Sequence, residues 1–289
     1  MKDNHKIIWI ASYPKSGNTW FRIFLSNLLA DRDNPIHIND LIKTPIASSR
    51  NSFDYITGVP SEDLTHREID ILRPKVYIYL SKFANKTLFK KVHDAYTYLA
   101  DGRPLFPSEA SKAVIYIVRN PIDVAISMAH YNGSSYEKMI KVLNDPNYAF
   151  CAKTNKLFEQ LRQKLGDWSY HVNSWTKQSN IPVLTIRYED MKNNAYNTFK
   201  KAVEFLELDK SKDTIQKAIN FSDLSILQEQ EKEVEFNENS MHANYFFRKG
   251  YIGEGKYIYN KQEINTIINK HKNIMKNFHY INEKNELLV

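Results

Sequence analysis

The sequence predicts an α/β fold, a single domain over residues 1–289 with a central mostly parallel sheet flanked by helices. Two observations carry this. Three apolar runs, 7–11, 113–118 and 181–187, read as buried parallel strands rather than alternating half-exposed ones. The first two lead directly into a turn and then a segment with helical apolar spacing, the order of a βα unit. A chain of 289 residues can bury one substantial core, and neither an internal repeat nor a low-complexity linker argues for a division.

The first unit, residues 7–29, is a P-loop-like strand-loop-helix. The run 7–11 enters a turn carrying Pro14, Lys15, Ser16 and Gly17, and Thr19 opens a helix whose apolar positions are Trp20, Phe21, Phe24, Leu25 and Leu28. Such a turn aims several backbone N–H groups and the positive end of the helix dipole at one point, beside Lys15 and the hydroxyls of Ser16 and Thr19. An oxyanion is expected there. The lysine precedes Ser16 and Gly17, unlike the nucleotide triphosphatase signature GxxxxGK[ST], in which it follows the last glycine.

Residues 31–60 are polar and turn-rich with no clear period. A helix over 61–71 capped by Ser61 is expected next, closed by Pro74, and 76–83 carries Tyr77, Tyr79 and Phe83, which either fill core or line a pocket. Residues 88–93 (LFKKVH) form a short strand ending in His93, followed by Asp94. The run 113–118 ends in Arg119, Asn120 and Pro121. Pro121 belongs in the first turn of a helix whose apolar face is Val124, Ala125, Met128 and Ala129. Residues 135–178 read as helical, broken at Asp145-Pro146 and Gly166-Asp167, with Leu157, Phe158, Leu161, Leu165, Trp168, Tyr170 and Trp175 as packing positions. The strand 181–187 runs into Tyr188, Glu189 and Asp190, the two carboxylates expected to cap a helix over 195–206. Helices over 211–220 and 222–232 follow, then an acidic, mobile loop over 229–239. The segment FFRKGYIGEGK at 246–256 offers two cations and a glycine backbone to a phosphate, and a structural helix over 261–278 ends the pattern.

Composition bounds the function. Hydrophobic residues are 42% and charged residues 25% of the chain, and no apolar run approaches the roughly 20 residues that cross a bilayer, so a cytoplasmic protein without membrane partners is expected. The N-terminal apolar stretch is too short for a secretory signal. Forty basic against 33 acidic residues give a net charge of +7, suited to a multiply charged anion. Nucleic acid is not expected, because the lysines are scattered and no reader motif occurs. Cys151 is the only cysteine, which excludes an intrachain disulfide and a cysteine-based metal cluster and reads as a packing residue.

The string SYPKSGNTW resembles the 5′-phosphosulfate loop of the cytosolic-type sulfotransferases, usually TYPKSGTTW, which use 3′-phosphoadenosine 5′-phosphosulfate (PAPS). Three further motifs follow in the family's order over about 7–259: Lys91-Val92-His93 for its Lys-x-His strand end, IVRNPIDVAIS for its 3′-phosphate motif, and RKG at 248–250. The step Tyr188-Glu189-Asp190-Met191 also matches its YEDM. The resemblance implies His93, Lys15 and Lys91 as catalytic, with His93 as general base, Lys15 at the leaving 5′-phosphate and Lys91 at the sulfuryl oxygens. It implies that Lys15, Ser16, Gly17, Asn18 and Thr19 hold the 5′-phosphate. Arg119, Ser127, Arg248, Lys249 and Gly250 would hold the 3′-phosphate, with Trp20, Tyr188 and Phe221 around the adenine. The family's Asp-Trp pair is Glu254-Gly255 here, and the Thr and Ser beside its phenylalanine are Ile219 and Asn220. PAPS is the implied sulfuryl donor and PAP (3′-phosphoadenosine 5′-phosphate) the product, with no metal, and the acceptor is a small molecule bearing a hydroxyl or amine. Candidate acceptor walls are 31–60, Tyr77, Tyr79, Phe83, His130, Tyr131 and 233–245. Asp94 either favours a cationic acceptor or caps a helix. A P-loop kinase would need a Mg²⁺ carboxylate at a strand end, where Arg119 and Arg187-Tyr188 stand instead. A non-catalytic module binding sulfated or phosphorylated ligands would not need His93.

Overall fold

The structure, a computed structural model, describes residues 6–41 and 44–289. Its elements in chain order are β1 (Ile7–Ser12), α1 (Asn18–Ala30), α2 (Arg50–Thr57), α3 (His66–Phe83), β2 (Leu88–Val92), β3 (Ser111–Val118), α4 (Pro121–Asn132) and α5 (Tyr136–Asn144). Then come β4 (Ala149–Phe150), β5 (Gln163–Lys164), α6 (Trp168–Thr176), β6 (Val183–Arg187), α7 (Tyr188–Asn193), α8 (Ala195–Phe205), α9 (Lys212–Asn220), α10 (Leu224–Glu233), α11 (Gly255–Ile258) and α12 (Lys261–Asn277). The expected α/β architecture is present: a central parallel sheet in the order β2-β1-β3-β6, flanked by helices. In the β1–β2 pair Ile10 lies opposite Lys91 and Ala11 opposite Val92. β1 and β3 are buried along nearly their whole length, which is why both read as continuous apolar runs.

Two compact units emerge, each made of three chain segments. The first comprises 6–13, 44–116 and 146–185, the second 14–41, 117–145 and 186–289. In the first unit, Trp9 donates through its indole N–H to Ser111 Oγ at 2.8 Å and packs edge-on against Tyr77 and Phe106, so the core of this unit surrounds β1. In the second, Phe21 and Phe24 stack on Phe199, fixing α1 against α8.

Several expectations are corrected. Residues 31–60 are not without order, since α2 occupies 50–57 with Ser49 as its cap, and 42–43 lie outside the described residues. The segment 61–63 is a single 3₁₀ turn. α3 instead starts after Thr65, whose capping box with Glu68 satisfies its first N–H groups, and it runs through Pro74. Of the three aromatics on α3, Tyr77 is buried, whereas Tyr79 and Phe83 are exposed and touch each other at a tilt of 41°. Between α5 and α6 the chain is not helical: it forms the antiparallel β4–β5 pair, and Leu157 there, like Tyr170 on α6, is exposed rather than packed. Cys151 is half-buried, its thiol pushed up by burial. Residues 229–233 belong to α10, and within 234–239 Phe236 is buried against Ile23, Ile38, Leu227 and Phe247.

Candidate active site

In the second unit the first loop, Arg119 and the RKG segment come together around Tyr188. Gly17 ends the loop at φ 106, a conformation glycine adopts without strain, and a Cβ there would lie 2.7 Å from the Tyr188 ring. Gly17 offers α1 no side-chain cap, and the N-terminal end of this 13-residue helix, with the positive end of its dipole, opens directly at the loop. Arg119 leaves the end of β3, is buried, and donates from Nη1 to the Lys15 carbonyl at 3.3 Å and from Nη2 to the Tyr251 carbonyl at 2.9 Å. The two phosphate motifs read from the sequence are thus joined by one guanidinium. Its plane lies over the Tyr188 ring, 4.2 Å from the centroid, and Tyr188 donates its hydroxyl to the Gly250 carbonyl at 3.0 Å. Trp20 meets Tyr188 edge-on and donates its indole N–H to the carbonyl of Ser222, the residue after Phe221. Ser127 lies half-buried on α4.

Two donors here, buried Ser16 Oγ and Arg119 Nε, have no hydrogen-bond partner among the described residues. A buried donor without an acceptor is costly, and an oxyanion would satisfy both. The donor set therefore fits a multiply charged phosphate ligand.

The RKG segment is held by carboxylates. Asp123 accepts from the backbone N–H groups of Gly253 at 2.8 Å and Gly255 at 3.1 Å. Glu254, between them, takes both Arg248 nitrogens and lies 3.5 Å from Lys249 Nζ, and the hydrogen bonds from Arg248 hold its carboxyl below the usual range. Gly255 packs so closely that a Cβ there would meet Ile122 Cγ2 at 2.1 Å, so no tryptophan fits at this position without rearrangement. Glu189 does not cap α8, whose N-cap position is Asn194. Buried, with its carboxyl pushed up by desolvation, Glu189 accepts from Asn120 N–H and Tyr280 O–H, while Asp190 pairs with Arg187. A cavity of about 430 Å³ lies beside Arg248, lined among others by His130, Tyr136, His242 and Tyr245. It brings two of the expected acceptor walls together.

In the first unit, β2 alternates so that Lys91 and His93 share a face while Lys90 and Val92 are buried. His93 Nδ1 lies 2.9 Å from the Ser12 carbonyl. A carbonyl only accepts, so Nδ1 carries the proton and Nε2 is the nitrogen that takes one up. Asp94 is neither an acceptor contact nor a helix cap: buried, it forms a two-point ion pair with Arg73 at 2.8 and 2.9 Å.

A family model described as the sulfotransferase domain matches residues 5–278. The chain belongs to the sulfotransferase domain family. It is accordingly a PAPS-dependent sulfotransferase. Cytosolic sulfotransferase 14 of Arabidopsis thaliana is 27% identical over 267 residues, covering 90% of this chain and 69% of that protein. The amine sulfotransferase of Oryctolagus cuniculus is 26% identical over 265 residues, covering 86% and 74%. A crystal structure of retinol dehydratase in complex with androsterone and inactive cofactor PAP shares the fold with a TM-score of 0.63. It is 17% identical, over 93% of this chain and 80% of that one.

What sequence reasoning missed in this sulfotransferase is the bracket behind His93. α6 supplies His171, whose Nε2–H donates to the His93 carbonyl at 3.0 Å, and Trp175, whose indole N–H donates to the Asp94 carbonyl at 3.0 Å. His171 is fully buried and its pKa is pushed down to about 4, so the ring is neutral and Nδ1 accepts from Tyr116 O–H at 2.9 Å. The signal was present, because Trp168, His171 and Trp175 recur at helical spacing on one apolar face. Its consequence for stability has a definite sign. Below the ordinary value of 6.5 the unfolded chain takes up a proton that folded His171 refuses until about pH 4. This sulfotransferase therefore loses stability between pH 6.5 and 4, by at most about 3 kcal/mol from this group, and the loss levels off below. Urea midpoints across that range should fall more steeply for the wild type than for His171→Asn; parallel slopes would remove His171 as the cause.

Proposed function

We propose that the whole chain serves as one catalytic domain that transfers the sulfuryl group of PAPS to a hydroxyl or amine of a small-molecule acceptor in the cytoplasm. What supports the phosphate part of this reading is the pair of buried donors, Ser16 Oγ and Arg119 Nε, that have no partner among the described residues. Ser16, Gly17, Asn18 and Thr19 hold the 5′-phosphate. Arg119, Ser127, Arg248, Lys249 and Gly250 hold the 3′-phosphate, and Trp20, Tyr188 and Phe221 provide the adenine surroundings. The cavity at His130 and His242 is the proposed acceptor entrance. Burial and the nearby Arg248 push the His130 pKa down, so the ring meets an acceptor neutral.

The reaction is an in-line displacement, and its logic parallels phosphoryl transfer. The acceptor oxygen or nitrogen forms a bond to sulfur as the bond from sulfur to the 5′-phosphate oxygen breaks. His93 Nε2 takes the acceptor proton, which the Ser12 contact at Nδ1 leaves it ready to do. Lys15 neutralises the charge that builds on the departing phosphate, and Lys91 stabilises the sulfuryl oxygens.

Calorimetry without added Mg²⁺ tests the donor assignment. PAP should bind far more tightly than AMP or ATP, because only PAP carries both phosphates in the spacing these residues serve. Preference for ATP, or a strict need for Mg²⁺, would defeat the reading.

A further inference from the structure

The Lys15 ammonium lies in a corner of two aromatic rings. Its Nζ is 3.9 Å from the centroid of Phe246 and 4.2 Å from that of Tyr131, well inside the range of about 6 Å over which a ring face attracts a cation. The two rings stand at 88° with their centroids 6.0 Å apart, so each presents a face to the same charge. We propose that Tyr131 and Phe246 are positioning residues, an aromatic cage that holds the Lys15 ammonium where it meets the 5′-phosphate.

The cage is itself fixed. Tyr131 donates its hydroxyl to the Glu238 carbonyl at 3.1 Å, and the Glu238 carboxylate takes both guanidinium nitrogens of buried Arg22, on α1, at 2.7 and 3.0 Å. The backbone N–H groups of Phe246 and Phe247 donate to the Glu231 carboxylate at 2.7 and 2.9 Å, and Phe236 packs edge-on against Phe246 at 4.9 Å. The other end of Lys15 is fixed as well: its backbone sits at φ 66, rare for a residue with a side chain, and its carbonyl accepts from Arg119. A flexible four-carbon stem is thus pinned at both ends.

The chemistry of the cage explains why it is aromatic. A carboxylate would hold the ammonium equally well but would cancel the charge that the departing phosphate needs. Ring faces attract a cation through their quadrupole and leave its full charge available to an anion.

The proposal rests on the assignment of Lys15 to the 5′-phosphate, and the test separates the two. In the full chain, Phe246 is replaced by mono-, di- and trifluorophenylalanine, which keep a ring in place while draining its face of charge. Calorimetry then compares PAP with adenosine 3′-phosphate, which lacks the 5′-phosphate, so no acceptor is required. The affinity ratio of PAP to adenosine 3′-phosphate should fall stepwise with fluorine number, by about fivefold across the series, and Phe246→Leu, apolar but without a π face, should fall at least as far. A flat series, or a ratio that rises with fluorination, overturns the cage, the latter because it would mean that the rings hold Lys15 away from the phosphate. Lys15→Met is the control for the underlying assignment. If it leaves the ratio unchanged, Lys15 does not serve the 5′-phosphate and both statements fall; if it collapses the ratio while the fluorine series stays flat, only the cage falls.

Discussion

Replacing His93 by alanine lowers sulfuryl transfer by about 10²- to 10⁴-fold, the usual contribution of a positioned general base, and leaves PAP affinity within a few-fold. The asymmetry follows from where the residue stands. His93 closes β2 in the first unit, while the buried, unpartnered donors assigned to the nucleotide phosphates belong to the second. Its removal takes away the proposed proton acceptor and spares the donors assigned to the phosphates. The geometry also sets what a milder change does. Nδ1 is committed to the Ser12 carbonyl, and His171 and Trp175 hold the carbonyls of residues 93 and 94, so the imidazole is fixed in ring orientation and tautomer at once. His93→Gln, which preserves a hydrogen-bonding side chain but is no base at neutral pH, should therefore be as inactive as the alanine variant. Single-turnover sulfate transfer from labelled PAPS to a panel of alcohols and amines, read beside PAP calorimetry, measures both effects. Near-normal turnover in either variant would remove His93 from the reaction, and a parallel collapse of PAP binding would make it a structural residue.

The sheet and the glycine turn before α1 were legible in the sequence because their physics is local. A strand buried on both faces needs a continuous apolar run, and β1 and β3 have one. A phosphate-binding turn needs a glycine at positive φ followed by an uncapped helix, and Gly17 and α1 supply them. The stretch between α5 and α6 was misread as helical for a related reason: its apolar residues recur at spacings that suit a helix, but tertiary contacts decide. The chain there pairs β4 with β5, and the backbone of 158–165 spends its polar groups on distant partners, Arg50 on Phe158 O and Ala95 on Lys164 O. Pro74 misled in the opposite direction. A proline removes one helical hydrogen bond but does not forbid a helix that Thr65 and Glu68 have already capped and that Arg73 and Tyr77 anchor by burial.

The residues assigned to the ligand were easier to read than those packed behind them. His93 and Arg119 directly follow β2 and β3, and Lys15 lies in the loop between β1 and α1, positions that by themselves suggest chemistry. Asp94 was open to misreading because a carboxylate beside a candidate base invites a role with substrate. Only its pairing with Arg73, 21 residues earlier, shows that it is structural. His171, Asp123 and the rings of Tyr131 and Phe246 act through partners far along the chain, and no spacing rule links 171 to 93 or 246 to 15.

Arg119→Ala weakens PAP binding by about 2–5 kcal/mol and removes most of the preference for PAP over AMP. The guanidinium does three things that the substitution undoes together. Its buried Nε is left for an anion, Nη1 holds the Lys15 carbonyl and Nη2 holds the Tyr251 carbonyl. The first loss falls on the 3′-phosphate alone, while the second loosens the backbone of the 5′-phosphate loop, so AMP should weaken too, but less. Asp123 sharpens the prediction. Its carboxylate lies 4.0 Å from Arg119 Nη2, and without that cation a buried negative charge faces the site, held by the N–H groups of Gly253 and Gly255. Part of the loss is therefore repulsion between Asp123 and the incoming phosphate, and Arg119→Ala combined with Asp123→Asn should recover affinity that the single variant lost. Four titrations decide it: PAP and AMP against the single and the double variant. An unchanged PAP to AMP ratio in Arg119→Ala would take the 3′-phosphate away from this residue, and a double variant no tighter than the single one would show that Asp123 acts on the loop and not on the charge.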